Sequence, residues 1–173
     1  MRNMAVQTNY GFSSSKGVAG GLFDLSAHEV ASRQAEGTGL SFGLGVVIGT
    51  NKGIDVTAPT SEATAADFEG VIVHNSTMVE MDTNGKVEIP DKNTVGCLHY
   101  GRIWVQTGKN ANPGYKEAVY LITDGEEAGK FTTSSDSDST NKIAVNAIFL
   151  GETDDGIANA EFRLDAAPDV KED

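Results

Sequence analysis

At 173 residues the chain has the length of one domain, able to bury roughly two-thirds of its unfolded surface in a single modest core. Twenty glycines, 39% hydrophobic residues and 7% aromatics favour many short elements joined by tight turns over long helices, which is an all-β composition. A formal net charge of -12 argues against nucleic acid and anionic membrane as partners, because binding a dense polyanion needs Lys and Arg to displace its counterions.

Residues 1–20 are polar and rich in Gly and Ser, with Ser13-Ser14-Ser15, Gly17 and Gly20 leaving little for a core to hold. The reading is an extended N-terminal arm docked on another surface, residues 1–16 of it making contacts outside their own subunit, with a loose tail as the alternative. No apolar run of signal-peptide length opens the chain and none is long enough to cross a bilayer, so synthesis in a reducing cytoplasm is expected. Residues 27–36 could form a short helix, stopped by Gly37 and Gly39. The β-branched run at residues 40–49 reads as a strand, and so do residues 68–74. Asn84-Gly85 supplies the positive φ angles of a hairpin turn, pairing Val79 and Met81 with Val87 and Ile89, and Pro90 ends the second strand.

Residues 95–106 form the strongest β segment. Val95, Cys97, His99, Gly101, Ile103 and Val105 share one face, and Leu98, Tyr100, Arg102 and Trp104 the other. With bulk on both faces, one side belongs in a core and the other under an arm or a neighbouring subunit; burial of both in one larger core is the equal alternative. Strands follow at residues 118–122, 130–132, 143–150 and 157–164, separated by turns at Asn112-Pro113-Gly114, Asp124-Gly125 and Asp154-Asp155-Gly156. Seven or eight strands with a turn every ten or so residues predict a small β-sandwich or barrel, jelly-roll-like, over residues 21–165, with an acidic tail at 166–173.

Candidate chemistry is thin. Gly39-Leu40-Ser41-Phe42-Gly43 has the letters of a hydrolase nucleophile elbow, but that motif needs a helix after the serine and a strand follows instead; a histidine nitrogen within reach of Ser41 is the test. Asp136-Ser137-Asp138-Ser139, Asp154-Asp155 and the Asp82 turn offer oxygens of the kind calcium takes, without the spacing or closing glutamate of a calcium loop, so solvated loops are expected. His28, His74 and His99 lack zinc-site spacing. Cys97, the single cysteine, alternates with Val95 and Ile103 as a buried small hydrophobe would. No catalytic residue, metal ligand or cofactor site is assigned, and surface recognition is what remains.

Val18-Ala19-Gly20-Gly21-Leu22-Phe23-Asp24-Leu25, Leu40-Ser41-Phe42-Gly43-Leu44-Gly45-Val46-Val47, Phe68-Glu69-Gly70-Val71-Ile72-Val73, Gly101-Arg102-Ile103-Trp104-Val105, Ala118-Val119-Tyr120-Leu121 and Gly156-Ile157-Ala158-Asn159-Ala160-Glu161-Phe162-Arg163-Leu164, in that order and spacing, resemble the capsid cement or decoration proteins of tailed bacteriophages. The resemblance implies a non-enzymatic all-β virion protein, made in the bacterial host cytoplasm. Such a protein sits on the capsid exterior, binds the major capsid protein and copies of itself, and bridges capsomers. The residues expected at those contacts are Arg2, Tyr10, Phe12 and Lys16 in the arm, and Arg102 and Trp104 on the central strand. Another virion role, such as a head-fibre base or tail protein, is the alternative. A small β-fold hydrolase or ligand-binding protein ranks below it, and a deep apolar pocket with converging polar groups would raise it.

Overall fold

The computed structural model describes residues 17–76, 87–136 and 141–163, and within them nine strands form. These are β1 (Glu29–Ala35), β2 (Gly45–Ile48), β3 (Asp55–Thr57), β4 (Phe68–Ile72), β5 (Thr94–Gln106), β6 (Ala118–Ile122), β7 (Phe131–Thr132), β8 (Lys142–Phe149) and β9 (Ile157–Phe162). The remaining helical structure among the described residues is two single 3-10 turns, Ala65–Asp67 and Gly125–Glu127. The all-β expectation holds, with nine strands where seven or eight were counted.

The strand order is β1-β3-β2-β4-β5, and β1 also pairs with β5, so these five close into a barrel. The β1–β3 pair is parallel and the other pairs are antiparallel. Past the barrel the order continues β5-β9-β8-β6-β7 as an open antiparallel sheet. The barrel, of the two architectures expected, is the one that forms, and it shares one strand with that sheet.

The shared strand is β5, 13 residues long. Its first half pairs with β1 and β4, and its second half, from Gly101, with β9. At the join, Glu29 pairs with Tyr100 while Val30 pairs with Leu98, so β5 carries one extra residue there, a bulge. One inserted residue in a period-2 strand exchanges its faces. Accordingly Val95 and Cys97 point into the barrel, whereas beyond the bulge Ile103 and Val105, of the same parity, join the other cluster together with Leu98. Gly101 makes the bend possible. Its φ is +127, and a Cβ there would meet the His28 Cβ at 2.7 Å.

Two clusters therefore replace the single core expected. One fills the barrel with Ala35, Leu40, Phe42, Val46, Val56, Ile72, Ile89, Val95 and Cys97. The other lies between the barrel wall and the open sheet and contains Phe131, Phe149 and Phe162. Phe131 packs edge-on to Phe162 at 5.6 Å and to Phe68 at 6.4 Å.

Three local expectations change. Residues 27–36 contain strand β1 and no helix, because its backbone is taken up by β5 on one edge and β3 on the other, and an isolated helix of that length is marginal in water. Within residues 40–49 only Gly45–Ile48 is strand, while the preceding loop buries Leu40 and Phe42 in the barrel core. The turn of the expected Val79/Met81 hairpin lies outside the described residues; Ile89 from its second arm is buried and donates its backbone N–H to the Leu40 carbonyl at 2.8 Å.

Candidate interaction surface

β5 presents Arg102 and Trp104 on the outer face of the open sheet, and the chain's own residues 17–24 lie over them. Leu22 bridges Ile103 in antiparallel fashion, with Gly20 N–H donating to the Trp104 carbonyl at 2.7 Å, Trp104 N–H to the Gly21 carbonyl at 2.9 Å, and Phe23 N–H to the Arg102 carbonyl at 3.0 Å. A turn closed by Gly21 N–H on the Val18 carbonyl, 2.8 Å, then folds the chain back so that Gly17 sits against the indole. A Cβ at Gly17 would overlap that ring. Phe23 completes the cover, its ring centroid 5.6 Å from that of Trp104. The stretch of β5 expected to lie under an arm or a neighbouring subunit carries residues 17–23 of the same chain, and residues 17–20, expected in the arm, pack on their own subunit.

Arg102 is tied to carboxylates on either side. Its Nε donates to Glu161 Oε2 at 2.9 Å and its Nη1 to Asp24 Oδ2 at 3.0 Å, and Glu161 also receives Arg163 Nε at 3.4 Å. Glu161 first and Asp24 second hold the guanidinium above its ordinary range. Asp24 is held below the usual carboxylate range, chiefly by hydrogen bonds from the Ser26 side chain and backbone and then by Arg102. The result is a fixed, part-exposed charged patch, with Leu25 fully exposed at 98% on the adjoining turn. Sequence reasoning singles out Arg102 and Trp104 but not Gly17, Phe23, Asp24 or Glu161. The available signal was Phe23-Asp24 directly after a glycine cluster. Arg2, Tyr10, Phe12 and Lys16 lie outside the described residues.

Of the other candidates, Ser41 and His74 line one cavity, and the rest are dispersed. Ser41 Oγ accepts a hydrogen bond from Gln106 Nε2 at 2.9 Å, and among the described residues no imidazole is hydrogen-bonded to it. His28 Nδ1 meets the Ser26 carbonyl at 2.9 Å, His74 packs on Phe42, and His99 Nε2 lies 3.4 Å from Glu69 Oε1, whose carboxylate accepts Arg33 Nε at 2.6 Å. Among the described residues no three His, Cys, Asp or Glu side chains gather where a metal could be held. Cys97 is fully buried, and burial pushes its thiol up to about 12, so it packs and does not react.

The start of the acidic loop departs from the solvated loop expected. Asp136 is buried and accepts the Thr132 hydroxyl at 2.7 Å. Lys142 Nζ donates to the carbonyls of Thr133, Ser134 and Asp136 at 3.0, 3.1 and 2.6 Å. An ammonium group occupies the oxygen cage that the loop forms. Residues 137–140 and the Asp82 turn lie outside the described residues.

No curated protein matches the chain. A chain of the capsid of Myoviridae Phage XM1 shares the fold, with a TM-score of 0.70 over 92% of this chain and 98% of that one, at 22% identity. The sequence model of the structural cement protein family (E217 gp24/Pam3 gp6) matches residues 6–164, the whole of the two-part β unit and part of the segment before it. The chain is therefore a phage virion structural protein and belongs to the structural cement protein family.

Proposed function

We propose that this subunit binds the outer surface of the major capsid protein, joins neighbouring copies of itself, and bridges capsomers so that the shell resists internal pressure. It makes and breaks no covalent bond. The observation that carries the reading is the family match over residues 6–164, joined to a chain that leaves the β unit at Gly17 directly over Trp104. An interface of about 800 Å² per partner, repeated by symmetry, adds cohesion that no single subunit supplies. The arm, residues 1–16, carries Arg2, Tyr10, Phe12 and Lys16 outward to those contacts, and Arg102 and Trp104 anchor its root.

Deletion of residues 1–16 tests this. The truncated chain keeps its β-sheet circular dichroism, and its occupancy on purified shells collapses. Occupancy equal to the full chain refutes the role of the arm. Mass spectrometry of particles gives hundreds of copies for a cement subunit, against a few for a tail or fibre component.

A further inference from the structure

The outer face of the open sheet carries a row of side chains that the strand register lines up. Arg102 on β5 sits beside Glu161 on β9, Glu161 beside Ile148 on β8, and Ile148 beside Ala118 on β6. The residues that follow or precede them in sequence point the other way, into the buried cluster. Asp24 carries the row past β5, with its carboxylate 3.0 Å from Arg102 Nη1. The middle of the row is charged and neutral in sum. Asp24 and Glu161 are matched by Arg102 and Arg163, whose side chains remain 40% and 51% exposed. The chain as a whole has a net charge of -12, so its excess of acid lies elsewhere. Both ends of the row are apolar. Leu25, next to Asp24, is 98% exposed, and at the far end Ala118 is exposed and Ile148 half-buried.

We infer that this face pairs with the same face of a second copy about a two-fold axis, a contact that rests on the joining of copies proposed above and gives it a place. With the axis along the strands, between β5 and β9, Arg102 of each copy stands opposite Glu161 of the other. The same rotation lays each Leu25 on the other copy's Ile148 and Ala118, while Asp24 keeps its bonds to Arg102 and Ser26. A row with a cation and an anion side by side at its centre and apolar residues at both ends is its own complement when turned about, which is what a two-fold contact needs. Charge selects the second copy as the occupant. Two chains of net charge -12 repel where acid faces acid, and on this neutral face they approach with Arg102 and Glu161 opposed by opposite charges. A strongly basic partner would gain nothing from a face already neutral and would be drawn to the acidic remainder of the chain.

Two full-length charge-reversed chains, Arg102→Glu and Glu161→Arg, test the contact by sedimentation velocity. The unmodified chain is expected to sediment as a dimer at micromolar concentration. Each reversed chain alone sets like charges face to face and should pair about tenfold or more weakly. Mixed in equal amounts the two should pair again, because the two new charges then face each other and the two native ones do likewise. A rearrangement within one subunit cannot produce that recovery. Leu25→Glu, at a side chain its own subunit leaves bare, should weaken pairing by a similar factor with an unchanged melting temperature. A monomeric unmodified chain that still fills purified shells, a dimer indifferent to all three substitutions, or a mixture that stays monomeric overturns the two-fold contact and leaves the cement reading standing. The first of these, with shell occupancy lost in Leu25→Glu, gives the face to the capsid protein instead. A chain that neither pairs nor adds to shells overturns both readings.

Discussion

The barrel and the open sheet share β5 yet handle their edges in opposite ways. In the barrel, the β1–β5 pairing closes the ring, and Leu40, Phe42 and Ile89 pack inside it. The open sheet ends on one side in the two-residue strand β7, where Phe131 bridges Thr107, and takes residues 20–23 against β5 on the other. Open sheet edges are where chains join. Here the barrel closes by pairing two of its strands, whereas the edges of the sheet are covered by an isolated bridge and a short segment of the same chain.

The comparison breaks most decisively at Phe131. This side chain is fully buried between the two halves and touches Phe68 at the start of β4 and Phe162 at the end of β9. Phe131→Ala is expected to cost about 3–5 kcal/mol, read as a shift of the denaturant midpoint with one cooperative transition. Two separate transitions in the variant would mean that barrel and sheet are independent units and that the shared cluster does not couple them.

Gly101 tests the join itself. Gly101→Ala places a Cβ against His28 at a φ that side chains rarely adopt, a strain of roughly 1–3 kcal/mol. Stability should fall by that order, and hydrogen exchange should rise at the β1–β5 and β5–β9 ladders on either side of the bulge. Exchange confined to one ladder would place the hinge elsewhere.

What the sequence disclosed about these halves follows from how far each signal acts. Alternation along residues 95–106 is local, so β5 could be read directly, as could β6 at 118–122. The bulge could not, because an extra residue is defined only against a partner strand, and with it went the division of Val95 and Ile103 between two cores. β3 was invisible for a similar reason. Asp55-Val56-Thr57 has a single apolar residue and becomes a strand because β1 and β2 flank it. At the candidate surface Arg102 and Trp104 stand out by residue type, whereas Asp24 and Glu161 matter through contacts 78 and 59 residues away in sequence. Lys142 filling the loop cage at Thr133, Ser134 and Asp136 is likewise a tertiary event.

A smaller effect sharpens the view that the sheet's outer face is organised by the root of the arm. Trp104 is the single tryptophan, so its emission reports the cover made by Gly17 and Phe23. Gly17→Ala should displace residues 17–19 or turn the indole, at about 1 kcal/mol, with a red shift in emission and an unchanged barrel transition. Emission that stays where it was would mean the indole takes its environment from β9 alone.

The smallest effect is in acid, and it separates the two halves by charge. Hydrogen bonds from the Thr50 side chain and backbone hold Glu36 below its ordinary value of 4.5 on the barrel, and those from Thr64 hold Asp67 below 3.8 on the 3-10 turn that leads into β4 and packs on β8; Asp24 is held below 3.8 beside the open sheet. Each of these carboxyls binds its proton more weakly folded than unfolded. Their stabilisation is therefore full above the ordinary values and is lost as pH falls through the lower folded ones. Below about pH 5 the midpoint of unfolding should decline, and the Glu36→Gln/Asp67→Asn pair should flatten that decline. Asp24→Asn should leave the barrel's share intact and flatten the acid response of Trp104 emission, because its carboxylate is tied to Arg102 on the same face. If all three substitutions flatten both signals equally, protons are taken up by the molecule as one unit, and the electrostatic separation of barrel from sheet does not exist.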